Sequence, residues 1–172
     1  MADTVDSSTR SRIMAAIKGR NTKPELLIRS LLHKNGFRFR LHVKDLPGKP
    51  DIVLPRYRSV IFVHGCFWHG HQNCQFFRMP TTNTEFWQAK ILRNQSNDSK
   101  VVKLLLASSW RVCIVWECSI RGAKKDPEKV VSIIADWLSG AEPFLEIAGN
   151  LGTDYMPELT FYCTKVYQSD IQ

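Results

Sequence analysis

Residues 63–74 read VHGCFWHGHQNC, which sets three histidines and two cysteines around Phe67 and Trp68. Packing does not call for this mixture, because a core strand wants apolar alternation rather than imidazole and thiol. The segment continues SVIFV (59–63), an unbroken apolar run of the kind a sheet buries on both faces. A chain built this way must end a central strand in a loop crowded with metal-binding side chains, and that junction limits the folds open to it.

The flanking pattern supplies the layers around the strand. Thr9 to Arg20 carries Ile13 and Ile17 one helical turn apart among Arg10, Arg12, Lys18 and Arg20, which predicts a basic first helix. A second helix begins at NTKPELLIRSLL, where Thr22 and Glu25 have capping-box spacing and Pro24 sits in the first turn. Leu27, Leu31 and Leu32 form its apolar stripe, and Asn35-Gly36 stops it. FRFRLHV (37–43) alternates strictly and predicts a half-buried strand, followed by the turn LPGKP and a short strand in DIVLP. A long helix over about 85–106 would turn Trp87, Ile91, Val101 and Leu105 inward. WRVCIVW reads as another buried strand, and DPEKVVSIIADWL as a capped helix burying Val130, Ile133, Ile134 and Trp137. The order helix, three strands, helix, strand, helix implies one α/β domain with a mixed sheet and helices against it. Residues 1–20 form a basic arm, 21–140 the core, and 141–172 an extension without clear pattern.

Composition narrows the partners. The net charge of +8 favours a polyanion, nucleic acid before an anionic membrane. The first residues, MADTVDSSTRSR, contain no apolar signal core, and no run approaches the roughly 20 apolar residues of a spanning helix. A cytoplasmic protein without membrane attachment is expected. In that setting five cysteines suit metal ligation better than disulfides. Cys66, His71 and Cys74 give C-x4-H-x2-C, and Cys118 at the end of a distant strand can complete a closed tetrahedral zinc site. His69 is near enough to ligate in place of His71, and spacing leaves that choice open. Cys113, inside WRVCIVW, reads as a small buried hydrophobe.

The carboxylates suggest a second ion. Asp51 is out of character before Ile52, Val53 and Leu54 unless its carboxylate points from the sheet edge into a site. With Glu25 on the preceding helix it suits a hard divalent ion shared with phosphate. The capping box accounts for Glu25 equally well. His64 and His69 could supply a base or a phosphate contact.

PGKPDIVLP, VIFVHGCFWHGH, TEFW and WRVCIVWEC together resemble the very-short-patch-repair (Vsr) mismatch endonucleases, in register from about Thr9 to Trp137. The resemblance implies a restriction-endonuclease-like core that nicks double-stranded DNA 5′ to the thymine of a T·G mismatch. Such mismatches arise from 5-methylcytosine deamination, which implies a functional link to a cytosine-5 DNA methyltransferase. It implies Asp51 as principal Mg²⁺ ligand, helped by the backbone carbonyl of Val63, where a family member has threonine. It implies His69 as general base, His64 as a phosphate-side helper and Glu25 as a supporting acid. His71 then joins Cys66, Cys74 and Cys118 on structural Zn²⁺. Phe67, Trp68 and Trp87 match aromatics that wedge into the duplex, Met14 matches a wedge from the other groove, and Asp98 matches an acidic position near the site. A monomer is expected. The rival expectation from the residues is a zinc-stabilised module that binds DNA without cleaving it.

Overall fold

The computed structural model describes residues 19–122 and 125–149, together with Thr9 and Arg12. Most of the expected first helix, Met14 included, lies outside the described residues. Helix α1 (Lys23–Lys34) starts at Thr22, whose side chain accepts from the Glu25 N–H, and turns Ile28 and Leu32 inward. Strand β1 (Ile52–Leu54) passes through a 3₁₀ turn at Pro55–Tyr57 into β2 (Ser59–His64). Helix α2 (Thr84–Ala107) crosses to β3 (Arg111–Trp116), the short α3 (Glu117–Ile120) follows, and α4 (Pro127–Ser139) leads to β4 (Phe144–Ile147). Asp126 caps α4, its carboxylate accepting from the N–H groups of Glu128 and Lys129.

The four strands lie in the order β1-β2-β3-β4, antiparallel between β1 and β2 and parallel thereafter. Strand alternation divides the interior in two. Ile61, Val63, Cys113, Val115 and Ile147 share one core with Ile28 and Leu32 of α1 and Val130, Ile134 and Trp137 of α4. Val60, Phe62, Val112, Ile114 and Trp116 share the other with Val101 and Leu105 of α2. Each such aliphatic side chain contributes about 1.5–3 kcal/mol on burial, so both faces of β2 and β3 are committed to packing. Only their C-terminal ends are left for chemistry.

Two expectations need correction. FRFRLHV forms no strand: Arg40 alone pairs, exchanging both main-chain hydrogen bonds with Val53 at 2.7 and 3.0 Å. His42 adopts φ 55°, a left-handed backbone that ends any ladder. Phe37 and Phe39 still pack against the α1/α4 core. Conversely, the extension after Ala141 is not all outside the core, because β4 pairs with β3 from Val112↔Phe144 to Val115↔Ile147. No helix among the described residues is long and apolar enough to cross a membrane.

Candidate active site and metal centre

Asp51 immediately precedes β1, where the antiparallel ladder to β2 runs out. Its Oδ2 accepts the Val63 N–H at 2.8 Å, a side chain extending the ladder by one bond. Burial pushes the Asp51 carboxyl up to about 6; the Val63 N–H opposes this, the nearby Glu25 carboxylate adds to it, and Arg29 and His69 counter it. A carboxylate held this way, next to a second acid, favours a divalent cation. Glu25 is itself buried at 4% exposure. Its Oε1 accepts from the Thr22 hydroxyl at 2.8 Å, and its Oε2 accepts from the Asn21 N–H at 2.8 Å and from Arg29 Nη2 at 2.9 Å. One side chain thus closes the capping box and also lines the cleft beside Asp51.

His64 ends β2 on the α2 face and stacks on His69, with ring centroids 3.8 Å apart and planes 5° from parallel. Burial lowers the pKa of His64 well below the ordinary range, and His69 lowers it further. His69 is fixed from the other side by Asp98 of α2, whose Oδ2 lies 2.6 Å from Nδ1. Asp98 accepting the Nδ1 proton leaves Nε2 as the basic nitrogen. The ligand atoms of His64, His69 and Asp98 lie within 4.8 Å of one another. Parallel imidazoles aim their lone pairs side by side, however, which suits a stacked pair better than convergence on one ion. Asp51, Glu25, Val63, His64, His69 and Asp98 all line one cleft of about 680 Å³, with Arg20, Lys44, Lys49 and Lys90 also on its wall.

Behind this cleft the ligand atoms of Cys66, His71, Cys74 and Cys118 lie within 4.8 Å of one another. Cys118 follows β3 directly, so the cluster ties the loop after β2 to the end of β3. Hydrogen bonding from Cys66 pulls the Cys118 thiol below its usual range against the opposing effect of burial, with His71 and the Gly149 N–H adding to the pull, while sharing with Cys118 and burial push Cys66 up. The donor set fits a closed tetrahedral metal site. His71 stacks on Trp116 with centroids 4.1 Å apart, and Trp116 Nε1 donates to Glu146 Oε1 of β4. Gly149 is required where it stands: a Cβ there would lie 2.4 Å from the Cys118 carbonyl oxygen.

The aromatics form a separate group. Phe67 contacts Trp68 and Trp87 edge-on, both at 5.3 Å, and Trp68 lies 6.0 Å from Trp87. All three are half-buried and belong to neither core. Phe86, 59% exposed, extends the group, and Lys90 Nζ sits 5.2–5.8 Å from the rings of Trp68, Trp87 and Phe86. Helix α2 fastens the loop through Asn94, which donates to the Trp68 carbonyl at 2.8 Å, and Gln95, which donates to those of His69 and Gly70.

A chain with this architecture aligns with the DNA mismatch endonuclease Vsr of Escherichia coli (strain K12) at 45% identity over 141 residues, 81% of this chain and 90% of the other. It belongs to the Vsr family. The family model described as DNA mismatch endonuclease Vsr matches residues 2–75. The type II nicking enzyme V.XorIIP of Xanthomonas oryzae pv. oryzae is 47% identical over 120 residues, 70% of this chain and 88% of its own. The type II nicking enzyme V.NmeAIP of Neisseria meningitidis serogroup A is 44% identical over 121 residues, covering 70% and 86%. The chain is thus a DNA endonuclease of the Vsr family.

For this Vsr-family chain, the fold gathers the residues singled out in the sequence into three adjoining groups: the carboxylate–histidine cleft, the four-ligand cluster, and the aromatics Phe67, Trp68 and Trp87. Met14 lies outside the described residues. At Val63 the group that meets Asp51 is the N–H rather than the carbonyl. Sequence reasoning missed Arg29, whose spacing four residues after Glu25 was the available signal. It also missed Glu146, Asn94 and Gln95, whose partners are 25–30 positions away and leave no local trace.

Proposed function

We propose that this protein is a Mg²⁺-dependent endonuclease that nicks duplex DNA 5′ to the thymine of a T·G mismatch and leaves a 5′-phosphate. The observation that carries the reading is that Asp51, His69 and Trp68 line the same cleft. Hydrolytic groups and a flat side chain able to part a base step therefore act within a nucleotide of each other. The mixed sheet with Asp51 at the start of β1 supports a restriction-endonuclease-like core. Cys66, His71, Cys74 and Cys118 would hold Zn²⁺, a structural role because no ligand position stays open. Asp51 and the Val63 carbonyl would hold Mg²⁺, which when bound supplies charge stabilisation at the scissile phosphate and the departing oxygen.

Within that frame the chain's own groups divide the work. His69 Nε2 takes the proton of the attacking water, while Asp98 holds the ring by Nδ1. His64 packs under His69 and keeps it facing the phosphate. Phe67, Trp68 and Trp87 enter the stack beside the mismatch, at a cost of a few kcal/mol per step that is smaller where the pair is already imperfect. Arg20, Lys44 and Lys49 contact phosphates and orient the duplex without reading sequence. Because T·G mismatches arise from 5-methylcytosine deamination, the enzyme would serve a cell that carries a cytosine-5 DNA methyltransferase.

The test is nicking by wild-type protein with Mg²⁺ on T·G and T·A duplexes in several sequence contexts. Selective nicking 5′ to the mispaired thymine is expected, with Asp51→Ala still binding but not cutting. Equal cleavage of both duplexes rejects mismatch specificity. Binding without cleavage in every context makes the protein a zinc-stabilised DNA-binding module.

A further inference from the structure

We propose that Arg29 is a positioning residue of the nicking centre, a buried guanidinium that sets the distance between Glu25 and Asp51 and so shapes the place where a divalent cation is held. The inference rests on the reading of Asp51 as the Mg²⁺ ligand. Arg29 is 6% exposed and lines the floor of the cleft. Its Nη2 donates to Glu25 Oε2 at 2.9 Å and to the main-chain carbonyl of Asp51 at 3.1 Å. Its Nη1 donates to Asn21 Oδ1 at 2.6 Å. One guanidinium thus joins the start of α1 to the residue just before β1, which lies 22 positions after Arg29 itself.

Stability alone explains this poorly. A buried ion pair gains little over apolar packing, because both charges lose their water. Here the pair also leaves Arg29 Nε buried without a partner among the described residues. A buried donor left in this way asks for a reason beyond packing. The charges supply one: with Arg29 beside them, the Glu25 and Asp51 carboxylates together keep one uncompensated negative charge within this trio, an attraction for a cation. The planar fork matters more than the charge, since a lysine ammonium cannot hold Glu25, Asp51 and Asn21 in fixed directions.

The test uses full-length, zinc-loaded Arg29→Lys and Arg29→Met, with Asn21→Gly as a milder variant. Glycine accepts the left-handed backbone of Asn21 (φ 55°) while deleting the carbonyl that anchors Nη1. Two quantities are read: nicking as a function of Mg²⁺ concentration, and calorimetric Ca²⁺ binding to the protein–DNA complex, which needs no turnover. Arg29→Lys is expected to lose about 10- to 100-fold in kcat and to bind Ca²⁺ several-fold more weakly, with DNA affinity unchanged, as when a residue supporting a metal ligand is removed. Asn21→Gly should show the same pattern to a smaller degree, which keeps the test decisive if Arg29→Met does not fold. Variants that lose thermal stability but keep wild-type kcat and Ca²⁺ affinity overturn the proposal. Wild-type protein that does not respond to Mg²⁺ overturns instead the reading on which it rests.

Discussion

Asp98 Oδ2 on helix α2 lies 2.6 Å from His69 Nδ1 in the loop after β2, so the imidazole facing the cleft is held by a carboxylate 29 positions further along the chain. The contact fixes both the ring's direction and the nitrogen left basic. Asp98→Asn, which keeps the shape but removes the charge, should slow nicking about 10- to 100-fold while leaving DNA binding intact, a part of the roughly 10²–10⁴-fold that a well-placed general base contributes. Single-turnover rates on a pre-bound T·G duplex measure this. An unchanged rate would mean that His69 needs no external orientation.

Asp51 offers a prediction with opposite signs for activity and stability. Its carboxyl, raised from 3.8 to about 6, binds a proton more tightly in the folded than in the unfolded chain. Stability from this group is therefore full below about pH 4 and is lost as the pH rises to about 6. Asp51→Asn keeps an acceptor for the Val63 N–H and removes the buried charge. In Mg²⁺-free buffer at pH 7 it should be more stable than wild type, by up to about 3 kcal/mol at one pKa unit per 1.36 kcal/mol. The gain should vanish near pH 4, and the variant should not nick. Thermal melts at both pH values, without a chelator that would strip zinc, check the sign.

The four-ligand cluster should bind one zinc and depend on it for folding. Cys74→Ser removes the most exposed of the three thiols, since Cys66 and Cys118 are buried. The variant should lose zinc to a chelator that spares the wild type and become several kcal/mol less stable, part of the roughly 10–16 kcal/mol of zinc binding in small metal-folded domains. Metal analysis beside melting curves measures both. Full stability in a zinc-free sample would assign the thiols to simple packing.

Trp68 bridges the aromatics and the cleft, so its removal should damage recognition more than folding. Trp68→Ala should lower the preference for T·G over T·A by about 10- to 100-fold, matching the roughly 1–3 kcal/mol of base–aromatic stacking. Melting should shift little, because Trp68 lies in neither core. Retained selectivity would reassign the indole to closing the loop.

Much of this was legible beforehand wherever the signal is short-range. The capping box at Thr22 and Glu25, the buried run of β2, the cap of α4 and the inward residues Ile91, Val101 and Leu105 all follow from spacings within one or two turns. FRFRLHV misled because alternation is necessary for a strand but not sufficient. It needs a partner along its length, and His42 turns the backbone away after one bridge. FLEI (144–147) is too short to carry a strand pattern of its own, and it is β3 that supplies the pairing.

By itself the sequence determined α1, α2, α4, the central strand and the set of candidate ligands, because these depend on covalent spacing and on which side chains avoid water. Tertiary structure decided the partnerships: Asp98 with His69, Arg29 with Glu25 and Asp51, and Cys118 with the loop 44 or more residues before it. Such pairings form only when α1 and α2 pack on opposite faces of one sheet and bring distant charges into the same cleft. There, removal from water makes each of them count.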